Sequence, residues 1–209
     1  MAFIDFVLDQ LPPPPCRILE IGCGREGGLV PALAAAGYDV TGIDPDAPAG
    51  DRYLRARFEE LEASNSLLLA VGAVVAGRVL HHLRPLGPGL DRLAGIAPLL
   101  LVDEFARDLI GPAAQRWYEE RRRELPDAPG PESLDDWRGR HPDLHPHDVL
   151  LRELRARWDE VAFEWVPYLH RWLGDPASEA RERELAEAGA FPLIGWRFAG
   201  SRHGAAANG

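Results

Sequence analysis

Three glycines near the start of the chain directly follow a short apolar run. Gly22, Gly24 and Gly27 have the spacing G-x-G-x-x-G, and the apolar run covers residues 18–21. A strand that ends in glycines and leads into a helix presents backbone N–H groups to a ligand, and this spacing is typical of dinucleotide-binding loops. The loop therefore predicts a ligand site, and the neighbouring side chains must decide which ligand.

Glu20 precedes this loop and argues against a phosphate ligand. A carboxylate about 4–6 Å from a phosphate costs a few kcal/mol at an effective dielectric constant near 20. The same carboxylate attracts a cationic ligand. S-adenosylmethionine carries an ammonium, a sulfonium and a ribose with two hydroxyls, and Asp44 is placed to accept both hydroxyls. The loop is therefore expected to hold a methionine moiety rather than a pyrophosphate.

Alternating strands and helices position these residues. We predict strands at 18–21, 38–43, 53–58, 73–76 and 99–102, and helices at 2–11, 27–36 and 90–96. This alternation indicates an α/β fold with a Rossmann-like, doubly wound, mostly parallel sheet. The carboxyl ends of such strands meet at one edge, where ligands bind. Four acidic residues are predicted there: Glu20, Asp44, Glu59 and Asp103.

The alternation breaks after the fifth strand. Residues 105–157 are polar and rich in Arg, Glu, Pro and Trp, and we expect a helical and looped insertion that caps the substrate site. A strand at 161–169, a helix at 175–188 and a last strand at 191–202 follow. The tail, 203–209, is expected to be disordered. The length of 209 residues suits a single domain.

Composition excludes several functions. The formal net charge of −10 argues against a nucleic-acid partner. All 23 basic residues are arginine, so neither a Walker A lysine nor a Schiff-base lysine is available. The two cysteines form no C-x-x-C pair. Because the sequence shows neither a signal peptide nor an apolar run of ~20 residues, we expect a cytoplasmic protein without membrane contact.

Four segments together resemble a known family. LEIGCG, VTGIDPD, AVVAGRVLHHL and LLLVDEF are similar to the class I S-adenosylmethionine-dependent methyltransferases, in particular the bacterial small-molecule type. The resemblance covers residues 16–104 well, and PYLHRWLG and GWRFAGSR resemble the closing strands more loosely. It departs from the family at Glu26, where a third glycine is frequent, although Gly27 and Gly28 can supply the flexibility.

The resemblance implies a role for each matching residue. Glu20, Gly22, Cys23 and Gly24 would frame the methionine end of the donor. Asp44 would bind the ribose, with Pro45 near the adenine. The remaining implied cofactor residues are Phe58 or Glu59 at the adenine edge and Ala76, Gly77 and Arg78 on the floor of the site.

Catalytic residues are harder to predict, because methyl transfer needs a base only when the acceptor must lose a proton. His145, His81 and Tyr168 are the candidates. Of the adjacent histidines 81 and 82, we expect one to be buried and the other solvated. The histidines at 141, 145 and 147 lie among prolines, in a turn-rich loop that disfavours a metal site, and we predict no metal.

The sequence thus predicts an enzyme that methylates O, N or C of a small molecule. Two alternatives stay open. One is an NAD(P)-dependent oxidoreductase that uses the G-x-G-x-x-G loop, and the other is a protein that binds S-adenosylmethionine without turnover. Neither the acceptor nor the oligomeric state follows from the sequence.

Overall fold

The computed structural model describes residues 2–62 and 66–204. Seven strands are present among them: β1 (Arg17–Ile21), β2 (Asp39–Ile43), β3 (Tyr53–Leu54), β4 (Ala73–Gly77), β5 (Leu99–Phe105), β6 (Trp158–Val166) and β7 (Gly195–Arg202). The helices are α1 (Phe3–Gln10), α2 (Val30–Ala35), α3 (Leu86–Ile96), α4 (Pro112–Glu124), α5 (Leu134–Arg140), α6 (His147–Arg155), α7 (Leu169–Leu173) and α8 (Pro176–Glu187). Short 3₁₀ turns at Phe58–Glu60, Ser66–Leu68, Leu80–His82 and Arg107–Leu109 complete the chain.

The strands form one sheet with the order β3-β2-β1-β4-β5-β7-β6. β1 pairs in parallel with both β2 and β4, so Glu20 lies opposite Gly42 on one side and Val75 on the other. The chain winds outward from β1 towards β3 and then crosses back to β4. This change of direction between β1 and β4 is the switch point at which doubly wound sheets bind ligands.

β7 runs against its neighbours in the sheet. The N–H of Ala106 donates to Ile194 O at one end of β5, and the N–H of Arg202 donates to Pro98 O at the other end, which makes β7 antiparallel to β5. The sheet is therefore mostly parallel, with β7 as an antiparallel strand between β5 and β6. The predicted fold class is confirmed.

The described residues divide into two compact units. The first consists of those within Met1–Glu104, Leu150–Phe163 and Phe198–Gly209, and the second of Phe105–Val149 and Glu164–Arg197. The second unit begins where the predicted insertion begins, but it also takes in the stretch from the end of β6 to the start of β7. Whether residues 105–157 cap a substrate stays a prediction.

The third strand is shorter than predicted. Instead of covering 53–58, β3 pairs only Tyr53 with Gly42 and Leu54 with Ile43. β2 ends at Ile43 and β3 is the edge strand, so the next residues find no neighbour for their backbone groups. They turn into the 3₁₀ segment Phe58–Glu60 instead, and Glu59 lies in that turn rather than at a strand end.

The fifth strand is longer than predicted. β5 continues through Asp103 and Glu104, which we had placed beyond its end, because Gly77 still pairs with Asp103 on one side and β7 covers the other. Both carboxylates are buried. The third helix begins at Leu86 rather than at residue 90. Residues 205–209 of the tail that we predicted to be disordered lie outside the described residues.

No helix in the described part of the chain has the length and apolar character needed to cross a membrane.

Candidate functional site

The glycine loop between β1 and α2 packs closely against the side chains of Glu20 and Tyr53. Gly28 has a φ of +57°, and a Cβ atom there would lie 2.2 Å from Oε1 of Glu20. Gly27 has a φ of +83°, and its Cβ would lie 2.5 Å from the Tyr53 hydroxyl. Only glycine combines a positive φ with the absence of a Cβ atom, so both positions require it. The two glycines thus supply the backbone freedom that Glu26 does not.

Glu20 joins the loop to the first turn of the helix. Its side chain is buried, and each carboxylate oxygen lies 2.9 Å from the N–H of Leu29, the residue that precedes α2. Burial raises the pKa of Glu20 to about 7, although the N–H groups of Leu29 and Val30 and the charge of Arg78 act in the opposite direction. A carboxyl group that is partly ionised at neutral pH thus occupies the helix end that would otherwise attract an anion.

Asp44 lies just beyond β2 and faces a small pocket. Its Oδ1 accepts a hydrogen bond of 2.8 Å from the N–H of Asp46, which fixes the carboxylate in the turn. The pocket has a volume of about 100 Å³. Its lining residues are Ile21, Gly22, Ile43, Asp44, Pro45, Ala56, Arg57, Phe58, Glu59, Val79, Leu80, His82 and Leu83. A carboxylate beside apolar walls can accept hydroxyl donors while a flat ring packs against the walls.

The 3₁₀ turn that carries Phe58 and Glu59 is held by Arg92 of α3. The guanidinium lies 5.0 Å from the centre of the Phe58 ring and donates to Glu59 O at 3.1 Å. It also donates to Leu61 O. Phe58 itself is buried, so it forms a fixed wall of the pocket.

The predicted cofactor residues are only partly brought together. Gly22, Asp44, Pro45, Phe58 and Glu59 line the pocket. The others lie near the same edge without lining it: Glu20, Cys23, Gly24, Ala76, Gly77 and Arg78. Cys23 is buried, and burial raises the pKa of its thiol to about 12. Their cofactor contacts stay a prediction.

The pocket wall that follows β4 was not predicted from the sequence. Val79, Leu80, His82 and Leu83 line it from the turn after that strand. Their segment, GRVLHHL, was noted for its likeness to the family and for His81, but without its apolar residues. The signal that could have identified them is their position directly after a buried strand next to the switch point.

His81 and His82 differ in their surroundings as predicted. His81 is buried, and His82 is exposed and lines the pocket. The Nδ1 atom of His81 lies 2.7 Å from Oε2 of Glu104, and the N–H of His81 donates to the other oxygen of that carboxylate at 3.2 Å. Since the carboxylate accepts, it favours the tautomer with the proton on Nδ1. The two imidazole centres are 4.2 Å apart.

His145 and Tyr168 both belong to the second unit. His145 is half-buried in the segment between α5 and α6. Tyr168 is buried, its ring is stacked on Phe105 with centres 4.6 Å apart, and it lies edge-on to Trp172. These contacts place Tyr168 in the aromatic core of that unit. A catalytic role for either residue stays a prediction.

The histidine-rich segment is a turn-rich loop up to Pro146, as predicted, and α6 begins at His147. Arg107 donates to the carbonyl oxygens of His141, Pro142 and Leu144, at 3.2, 3.1 and 2.6 Å. Asp108, which the sequence analysis did not consider, accepts from the N–H of His147 at 3.1 Å and lies 2.6 Å from its Nδ1. Asp108, His147 and Asp148 have side-chain ligand atoms within 4.8 Å of one another. Asp108 thus caps α6, and its contacts with His147 explain why these three side chains lie close together.

Solved structures with the same architecture are methyltransferases. An S-adenosylmethionine-dependent methyltransferase from Mesorhizobium loti matches over 96% of this chain and 98% of its own, with 18% identity and a TM-score of 0.60. A putative methyltransferase from an antibiotic biosynthesis pathway of Anabaena variabilis covers 95% of both chains, with 16% identity and a TM-score of 0.57. No family model and no curated protein sequence matches the chain.

A third structure was solved with ligands. Geranyl diphosphate C-methyltransferase from Streptomyces coelicolor, in complex with Mg²⁺, geranyl diphosphate and S-adenosyl-L-homocysteine, matches 95% of this chain and 77% of its own, with 15% identity and a TM-score of 0.57. Together with the strand order and the loop after β1, these likenesses define the fold. The chain has the Rossmann-like fold of the class I S-adenosylmethionine-dependent methyltransferases.

Proposed function

We propose that the protein is a methyltransferase that uses S-adenosylmethionine to methylate a small molecule. The observation that carries the proposal is the contact between Glu20 and the N–H of Leu29. In dinucleotide-binding folds the pyrophosphate takes the N–H groups at this helix start. Here an internal carboxyl group, partly ionised at neutral pH, takes one of them. A ligand with cationic groups and no phosphate suits this loop better.

The pocket residues fit the nucleoside part of this donor. Asp44 would accept the two ribose hydroxyls, and Pro45 and Phe58 offer apolar surfaces to a flat base. The cavity of about 100 Å³ accommodates one ring system rather than the whole molecule. The methionine part would extend along the glycine loop towards Glu20.

The chain contributes mainly alignment and the exclusion of water. When bound, S-adenosylmethionine would supply a methyl group on a sulfonium, which is a good leaving group. Asp44 would hold the ribose in place, and Val79 and Leu80 would keep water from the donor. Fixing both reactants in line accounts for most of the rate enhancement expected of such a site.

A proton acceptor is needed only for acceptors that lose a proton. Our candidate in the first unit is Nε2 of His81, since Glu104 holds the proton on Nδ1. His145 and Tyr168 remain the candidates in the second unit. We also retain in the proposal a substrate-capping role for residues 105–157 and a cytoplasmic location.

Two other functions make different predictions. A nicotinamide-dependent oxidoreductase would also have an acidic residue after β2, at the position of Asp44. It would not have a carboxyl group at the position of Glu20, next to the glycine loop. A protein that binds the donor without turnover would share the whole donor site. Binding measurements separate the first alternative, and turnover with a range of small acceptors separates the second.

The test is calorimetric titration with S-adenosylmethionine, S-adenosylhomocysteine and NADH. We expect micromolar affinity for the first two, and a loss of at least about 100-fold in Asp44→Ala, because two hydrogen bonds to a carboxylate disappear. Asp46→Ala is the matched control, since it removes a carboxylate from the same turn and is expected to change affinity less than about threefold. Binding of NADH alone would overturn the proposal.

A further inference from the structure

The sheet has two edges, and they differ in length. β3 forms one edge with only two residues, whereas β6 forms the other with nine. Within the described part of the chain, β7 is the one strand that neighbours β6. An edge strand presents a row of backbone N–H and C=O groups with which a further strand can pair. β3 is too short to offer many of them, while β6 is long enough for a full antiparallel pairing.

β6 is open to solvent along most of its length. Residues 159–161 and 165 are exposed, and residues 162–164 are half-buried. Val161 and Trp165 are large apolar side chains, yet they are 56% and 37% exposed. Since alternate residues of a strand point to one face, Phe163 lies between them on the same face. The edge strand therefore carries an apolar stripe of three side chains.

The features that normally keep an edge strand from associating are weak in β6. Native proteins shorten such strands, place prolines in them or add charges. β6 contains neither a proline nor a basic residue. The carboxylate of Glu160 accepts from Arg155 at 2.8 Å, and that of Glu164 accepts from Arg197 at 2.8 Å. Both negative charges are thus balanced within the chain and do little to repel a second strand.

The apolar stripe is complementary to itself. Two copies of β6 can pair antiparallel about a two-fold axis that passes through Phe163. In this register each Phe163 faces its counterpart, and Val161 of either copy faces Trp165 of the other. Directly opposed aromatic and β-branched side chains are favourable cross-strand pairs. The pairing would cover the exposed stripe on both copies.

The acidic side chains allow the same register. On the other face of the sheet, Glu160 would lie opposite Val166, and Glu164 opposite Ala162, so no carboxylate would face another. Asp159 would lie beyond the paired stretch, which covers residues 160–166. We propose that β6 binds β6 of a second copy of this chain in this register, so that two sheets join into one. The inference does not depend on the proposed function.

Sedimentation equilibrium from about 1 μM to about 1 mM would measure the association. We expect a monomer–dimer equilibrium for the wild type. Val161→Lys should weaken the dimer at least about tenfold, because a lysine would replace an apolar partner at two places in the interface. Leu69→Lys is the matched control, since Leu69 is 58% exposed and lies outside β6. It should associate like the wild type, and neither variant should unfold at a lower temperature.

A mixture of two variants tests the register. When Val161→Lys pairs with Trp165→Glu, a lysine faces a glutamate at one place and the original apolar pair remains at the other. We therefore expect the mixture to associate at least about tenfold more tightly than either variant with itself.

A wild type that stays monomeric would leave this edge to a strand of another protein and would overturn the inference. The same holds for a dimer that persists in Val161→Lys, for one that Leu69→Lys weakens equally, and for a mixture no tighter than its components. Since none of these measurements involves S-adenosylmethionine, failure of the proposed function would leave their outcome unchanged.

Discussion

One buried cluster in the first unit and one in the second differ in their share of aromatic side chains. In the first unit the cluster contains the rings of Phe6 and Tyr38 among aliphatic side chains such as Val30, Leu33 and Leu101. In the second unit the buried cluster contains the rings of Phe105, Tyr118, Tyr168 and Phe191, with Trp117, Trp137 and Trp172 packed against it. The first cluster is mainly aliphatic, and aromatic rings make up a larger share of the second.

The two units also differ in the structural features that are available for ligand recognition. The candidate donor site depends on positions that the sheet dictates, such as the loop after β1 and the turn after β2. In the proposed function its specificity comes from a few charges, of which Glu20 and Asp44 are the main ones. The second unit has no comparable loop among its described residues. Its aromatic side chains stabilise it, and the indoles of Trp137 and Trp172 are partly exposed.

The largest effect should come from the aromatic core. Tyr118 is fully buried and its hydroxyl donates to Pro131 O at 2.6 Å. We expect Tyr118→Ala to lower the free energy of unfolding by about 3–5 kcal/mol, because a ring-sized cavity remains. Urea unfolding followed by tryptophan fluorescence would measure it. Tyr118→Phe keeps the ring and should cost only about 1 kcal/mol; equal losses in both variants would mean that the hydroxyl, rather than the packing, matters.

Glu20 should make stability depend on pH. Its folded pKa of about 7 lies above the ordinary value of 4.5, so the folded state holds the proton more tightly than the unfolded chain. The contribution of Glu20 is therefore most favourable below pH 4.5 and is lost as the pH rises through 7. Relative to Glu20→Gln, we expect the wild type to lose about 2 kcal/mol between pH 5 and pH 8.

Glu20→Gln is a suitable reference because an amide oxygen can still accept from the N–H of Leu29. Denaturant unfolding of both proteins at several pH values would give the difference directly. A difference that does not vary with pH would show that Glu20 stays ionised in the folded protein across this range. Its attraction for a cationic donor would then be constant instead of rising with pH.

Much of the donor edge could be predicted from sequence, because its determinants are local. Glycines after an apolar run specify a turn, and a parallel sheet brings the ends of its strands to one edge, which placed Gly22 and Asp44 correctly beside each other. The limits of β3 and β5 could not be predicted in this way. Each depends on where the neighbouring strand stops, and strand pairing is a long-range property.

The contacts of individual side chains were also beyond prediction. The sequence predicted that one of histidines 81 and 82 is buried, and only the fold shows that Glu104, distant in sequence, holds the first. Asp108 was missed for the same reason, since nothing near His147 in the sequence indicates an acid from the turn after β5. Sequence periodicity gives the elements, but the partners of polar groups follow from tertiary packing.

Asp108 gives the smallest effect and tests order in the histidine-rich segment. Its carboxylate accepts from the first N–H of α6 and lies beside the His147 ring. Since helix caps contribute about 1 kcal/mol, we expect Asp108→Ala to lower the free energy of unfolding by about that amount and Asp108→Asn by less. Hydrogen exchange should increase at the start of α6 and not in α8, whose own cap is Asp175. If exchange stays unchanged at His147 and Asp148, the segment is held by the hydrogen bonds of Arg107 to its carbonyls, and the second unit gains its order from that arginine rather than from the cap.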